Sequence, residues 1–104
     1  MSKRESILRE FVLEAVANLY EDFSGVVEQV QKWGSRNEMT ISHAEVSDAL
    51  DHAIKEGYAQ AFFLSPQQPY YEPAEFSTDR IGELWFHVTA KGKTFVNHLS
   101  SAED

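Results

Sequence analysis

The spacing of apolar residues changes character at Gly57, and that change limits the fold more than any other feature. Before it, apolar positions recur in threes and fours, the period of helices that bury one face. After it comes Tyr58-Ala59-Gln60-Ala61-Phe62-Phe63-Leu64, an aromatic-rich run bounded by Ser65-Pro66, which predicts a strand. Helices first and strands later read as the α+β class. The 104 residues suffice for one domain, 1–104, and not for two.

The first helix is predicted from about residue 2 to residue 20. Ile7, Leu8, Phe11, Val12, Ala15, Val16 and Leu19 share one face, with Glu10, Glu14 and Asn18 opposite. So broad a stripe calls for more than one packing partner. Glu21-Asp22-Phe23-Ser24-Gly25 then interrupts the pattern, with Asp22 or Ser24 available as a cap. A shorter second helix carries Val26, Val27, Val30 and Trp33, and its valines make it dependent on packing. Gly34 is placed to stop it in the left-handed conformation.

A polar loop over 35–38 and a short strand, Met39-Thr40-Ile41, lead to the strongest local signal. Ser42-His43-Ala44-Glu45 fits a capping box, and Ile41 with Val46 has the spacing of a hydrophobic staple. The third helix continues through Ala49, Leu50, Ala53 and Ile54, and Gly57 ends it. A second strand spans 83–88, with Leu84, Phe86 and Val88 on one face. Residues 65–82 hold all three prolines and no strand signal, which argues for a functional or partly mobile loop. Thr89 caps a closing helix over 90–99 that turns Phe95, Val96 and Leu99 inward, and 100–104 is a polar tail.

This order resembles a winged helix-turn-helix domain of the small bacterial and archaeal winged-helix regulators, over roughly residues 5–99. Two segments carry the likeness. One runs from Ile41-Ser42-His43-Ala44-Glu45-Val46 to Ile54-Lys55-Glu56-Gly57-Tyr58, like the third helix and the turn into the wing. The other, Trp85-Phe86-His87-Val88-Thr89-Ala90-Lys91-Gly92-Lys93, is similar to the entry of the second wing strand into the last helix. There threonine caps the helix, and glycine lets it pack closely on the sheet. The resemblance implies a three-helix core, a two- or three-stranded wing sheet, a C-terminal helix and a transcription-regulator-like role. It also implies a homodimer paired through terminal helices, and a third helix that enters the DNA major groove. Carried over by position, Ser42, His43, Ser47, Asp48, Asp51, His52 and Lys55, with Arg80 in the wing, would face DNA.

Charge opposes that docking. The chain has 17 acids against nine Lys and Arg, a formal −8. Residues 42–56 alone carry a formal −3 and residues 65–82 a formal −2. Phosphate neutralisation normally dominates such interfaces, so acids on both approaching surfaces remove its main source of affinity. Lys3, Arg4, Arg9, Lys32, Arg36, Lys91 and Lys93 leave open an altered DNA mode. Pro69-Tyr70-Tyr71-Glu72-Pro73-Ala74-Glu75-Phe76 offers another partner, because tyrosine provides contact area with few rotors. Tyr70, Tyr71 and Phe76 would dock onto a partner protein or a second copy, or else fold back over the protein's own sheet. The expected function is therefore a non-enzymatic winged-helix regulatory module with a protein partner, DNA contact being disfavoured. The alternative is a protein-interaction module on that fold which does not bind DNA.

Motifs for chemistry are missing. Without cysteine there is no disulfide, thiolate zinc site or cysteine nucleophile. His43, His52, His87 and His98 include no i,i+4 pair, and no phosphate-binding glycine loop or Gly-x-Ser-x-Gly elbow occurs. Glu72 with Glu75, and Asp48 with Asp51, are spaced like paired carboxylates, but among 17 acids they read as a solvated face. No catalytic residue, cofactor or metal is expected, so the chain is not read as an enzyme. No apolar run approaches the roughly 18 residues of a membrane span, and the opening residues enter helical periodicity instead of a signal-peptide core. A soluble cytoplasmic protein is the expectation.

Overall fold

In the computed structural model, which describes residues 2–67 and 70–102 with side-chain surroundings to His98, the first helix is shorter than its stripe predicts. Helix α1 is Lys3–Ala15, capped by the Ser2 hydroxyl, which accepts from the Glu5 amide. The chain leaves the helix because it is needed at a sheet: the Val88 amide donates to the Val16 carbonyl at 3.1 Å. Strand β1, Glu21–Asp22, then pairs with β4, Leu84–Val88. Leu19, predicted on the buried stripe, is instead 69% exposed. Leu13, off that stripe, is fully buried, because α1 packs against α2, α3 and α4.

Helix α2 is Phe23–Arg36, and Asp22 is its cap, accepting from the Gly25 amide at 2.9 Å. Gly34 does not stop it. That residue is helical and buried, and the Ile41 side chain fills the space a Cβ would need. The left-handed residue beyond the helix is Glu38, at φ 57°. The short strand predicted at Met39-Thr40-Ile41 is also displaced. The Met39 amide donates to the Gly34 carbonyl, and the Thr40 and Ile41 carbonyls accept from Arg4 and Gln31, so this segment bonds to helices and not to a neighbouring strand. The short strand of this fold is β1, one helix earlier.

Helix α3 is His43–Lys55, with both halves of the capping box formed. At its end Gly57 adopts φ 82°, the Gly57 amide donates to Ile54 and the Tyr58 amide to Ala53. This pattern needs a residue that tolerates the left-handed region. Strand β2, Ala59–Leu64, follows and pairs with both β4 and β3, Tyr71–Ala74. All pairs are antiparallel, and the strand order is β1-β4-β2-β3. The sheet thus has one strand more than expected.

Strand β3 and a 3-10 segment, Thr78–Glu83, occupy half of the predicted loop. Pro73 hid the strand, since proline is tolerated where one edge of a strand is unpaired. Gln68 and Pro69, also assigned to that loop, lie outside the described residues. Helix α4, Ala90–Ala102, runs into the predicted tail, and the Leu99 side chain is outside the described part.

The result is a mixed α+β architecture with helices on the inner face of one sheet. The main buried cluster joins Leu8, Val12 and Val16 of the first helix and its exit to Val26, Val30, Val46, Leu50, Leu84 and Phe86. A smaller one joins Leu13, Ala53 and Ala59, with Phe95 and Val96 of α4 against it. Among the described residues no helix is long and apolar enough to cross a membrane.

Candidate interaction surfaces

On α3, Ser42, His43, Asp48, His52 and Lys55 are exposed, while Ser47 and Asp51 are half-buried. Ser42 is held as the helix cap, and the His43 ring meets Phe23 edge-on at 6.2 Å. Lys55 pairs with Asp51 one turn earlier, at 3.0 Å. Arg80 pairs with Glu83 at 2.9 Å and its guanidinium lies 4.5 Å from the Phe63 ring centre. The two cations assigned to a DNA contact therefore each face a carboxylate of this chain.

Other basic residues are also engaged. Arg4 donates to both Glu45 oxygens, at 2.8 and 3.2 Å, and to the Thr40 carbonyl at 2.7 Å. That guanidinium, followed by the Ser42 amide, lowers the Glu45 carboxyl from 4.5 to about 2. The same hydrogen bond from Arg4 to Glu45 raises the guanidinium value. Arg9 pairs with Glu56 at 2.9 Å and lies over the stacked Tyr58 and Phe95 rings. Lys91 donates to the Glu56 carbonyl at 2.8 Å. Lys3 on α1, Lys32 and Arg36 one turn apart on α2, and Lys93 on α4 are exposed.

Between α1 and α3 lies a groove of about 270 Å³ with Leu8 and Ala49 on its floor and Arg4, Arg9, Glu45, Asp48 and His52 along its walls. The Arg9 Nε is buried there without a hydrogen-bond partner. No group of three or more His, Asp or Glu among the described residues is arranged to hold a metal ion.

The outer face of the sheet has a different character. Alternation along the strands turns Ala59, Ala61, Leu84, Phe86 and Val88 inward, so Phe62, Leu64, Trp85 and His87 point outward. Register sets Tyr71 opposite Leu64 and Pro73 opposite Phe62, adding both to the outer face. Tyr20, from the link between α1 and β1, lies across them. Its ring stacks on Tyr71 at 3.8 Å and on His87 at 4.6 Å, and meets Phe62 edge-on at 5.1 Å. Trp85 meets Tyr71 at 5.9 Å. His87 is fixed by Nδ1 against the Val88 carbonyl, 2.8 Å away.

The three tyrosine-segment candidates separate. Tyr70 is exposed, Tyr71 joins the outer aromatic cluster, and Phe76 turns inward against Phe86 at 6.3 Å. Tyr20, Phe62, Trp85 and His87 were missed as members of this surface. A signal for two of them was available: Phe62 and Trp85 occupy the strand phase that a solvated sheet face would give to polar residues.

No family model, curated protein or solved structure matches this chain.

Proposed function

We propose that this chain is a winged-helix domain acting as a non-enzymatic regulatory module, and that it works through protein contacts without reading DNA by α3. The element order supports the fold assignment: a short strand between α1 and α2 pairs beside the returning strand β4, α2 and α3 precede β2, and α4 closes the chain. One observation carries the functional part. Lys55 and Arg80, the cations on the presumptive DNA side, are paired with Asp51 and Glu83. Exposed pairs of this kind are weak, about 0–1 kcal/mol, so a phosphate can break them. Breaking them leaves the freed carboxylates, with Asp48, facing the same phosphates, and the net attraction stays small.

Fluorescence anisotropy of a labelled mixed-sequence duplex, titrated across salt, tests the reading. The expected result is no binding at low salt. Salt-sensitive binding in the range of about 10⁻⁴–10⁻⁶ M, as for a generic DNA binder, overturns it.

A further inference from the structure

Two ion pairs cross from α1 to α3. Arg4 reaches Glu45 at 2.8 Å, and Arg9 reaches Glu56 at 2.9 Å. Along α1 these pairs bracket Glu5 and Leu8, and along α3 they bracket Asp48, Ala49 and His52. Those five residues line the groove of about 270 Å³ between the helices. Leu8 and Ala49 are buried and give it an apolar floor. The cross-links tie the two helices together on either side of the groove and leave it open between them. A concave site with an apolar floor and a few polar groups at its rim suits a small molecule.

Pairing decides which charge the groove accepts. Both arginines in its walls already hold a carboxylate of this chain. Arg4 donates to both Glu45 oxygens and to the Thr40 carbonyl, and Glu45 also completes the capping box of α3. An anion would have to compete with these resident carboxylates, and displacing Glu45 would open the cap as well. The Glu5 and Asp48 carboxylates, by contrast, have no hydrogen bond or ion pair among the described residues, and the His52 ring has none either. Glu5 stands in the first turn of α1, where the helix terminus offsets part of its charge. Asp48, well inside α3, has no such offset and is the stronger anchor.

These unpaired groups favour a donor. Carboxylates accept hydrogen bonds, as does one nitrogen of a neutral imidazole, and an ammonium brings three donors. A bare metal ion is a poor match, since no group of three or more His, Asp or Glu among the described residues is arranged to hold one. An organic amine uses the apolar floor as well as the carboxylates.

We propose that the α1–α3 groove binds a small primary amine with an apolar body, its ammonium against Asp48 and Glu5 and its body over Leu8 and Ala49. The site goes beyond the regulatory reading and stands whichever way the duplex titration falls. Benzylamine is the probe, with benzyl alcohol and benzoate as neutral and anionic counterparts of similar shape. Each is titrated at pH 7 into isotope-labelled protein and followed by amide chemical shifts. Benzylamine should give saturable shifts centred on Leu8, Asp48, Ala49 and His52, with a midpoint of about 10 mM or below. Both counterparts should bind at least about fivefold more weakly.

Glu5→Gln with Asp48→Asn should weaken benzylamine by about tenfold, roughly threefold for each exposed carboxylate, while the thermal melt moves by no more than a few degrees. Glu75→Gln with Asp79→Asn makes the same change of charge outside the groove and should leave the midpoint within about twofold. Equal midpoints for the three probes, or tightest binding by benzoate, overturn the proposal, the latter by assigning the groove to its arginines. So do shifts centred elsewhere, no shifts up to about 50 mM benzylamine, or equal effects of the two double variants.

Discussion

Glu45 ties two local devices together. Its carboxylate completes the capping box of α3 and receives Arg4 from α1, so one side chain fixes both the start of α3 and its angle to α1. The folded-state value is depressed, from 4.5 to about 2, so the stabilisation is fully present above 4.5 and is lost as pH falls through the folded value. Glu45→Gln retains an acceptor for the Ser42 amide but loses the ion pair. The wild type should therefore melt a few degrees above this variant at pH 7, and the gap should close between pH 4.5 and about 2. Melts followed by circular dichroism across that window check this, and a pH-independent gap contradicts it. Gly92 presents a steric case. A Cβ there would overlap the Tyr58 carbonyl, which accepts from the Thr89 amide, and would crowd Val88. Gly92→Ala should cost about 1–3 kcal/mol in urea unfolding. Gly82→Ala, with open space at its Cβ, should stay within about 0.5 kcal/mol of wild type.

Among the elements, β3 tests whether the tyrosine segment serves the fold or a partner. The Tyr71 ring lies against Tyr20, Phe62 and Trp85, whereas Tyr70 is 55% exposed. Tyr71→Ser should destabilise the protein by about 1–3 kcal/mol and Tyr70→Ser by less than about 0.5 kcal/mol, both read from urea midpoints. Equal losses would mean that Tyr70 is also structural. The same contrast explains what the sequence made legible. Helix α3 could be read because its cap, staple and terminating glycine lie within about a dozen residues of its own length. The two residues of β1 could not, because β4, more than 60 positions later, is what makes them a strand. Strand β3 was hidden by Pro73, and Gly34 looked like a helix stop because its packing against Ile41 is a tertiary fact. The outer face draws on residues 20, 62, 71, 85 and 87, which only sheet register brings together. Tyr70, Tyr71 and Phe76 were adjacent and conspicuous, yet the structure sends the three to different surroundings.

At the scale of the whole molecule, an uncovered aromatic face and a formal charge of −8 oppose each other. The face favours contact between any two apolar surfaces, and the field keeps identical copies apart. The rings do not lose their attraction as pH falls, but net charge vanishes near the isoelectric point of about 4.9. At that pH Glu45, held to about 2, stays ionised, so the Arg4–Glu45 pair between α1 and α3 persists. Light scattering at low salt should therefore find monomers at pH 7 and reversible association near pH 5. Added salt at pH 7 should reproduce part of the effect by shortening the range of repulsion to about 10 Å or less. Leu64→Ser should suppress association at pH 5 without changing the charge, because it alters only apolar surface at this face. Aspartate-to-asparagine changes on α3, remote from the sheet's outer face, should act in the opposite way, shifting the onset to higher pH without altering the contact. If the Leu64→Ser protein associates as readily as wild type, the self-contact lies elsewhere and the outer face is not the adhesive surface of this chain.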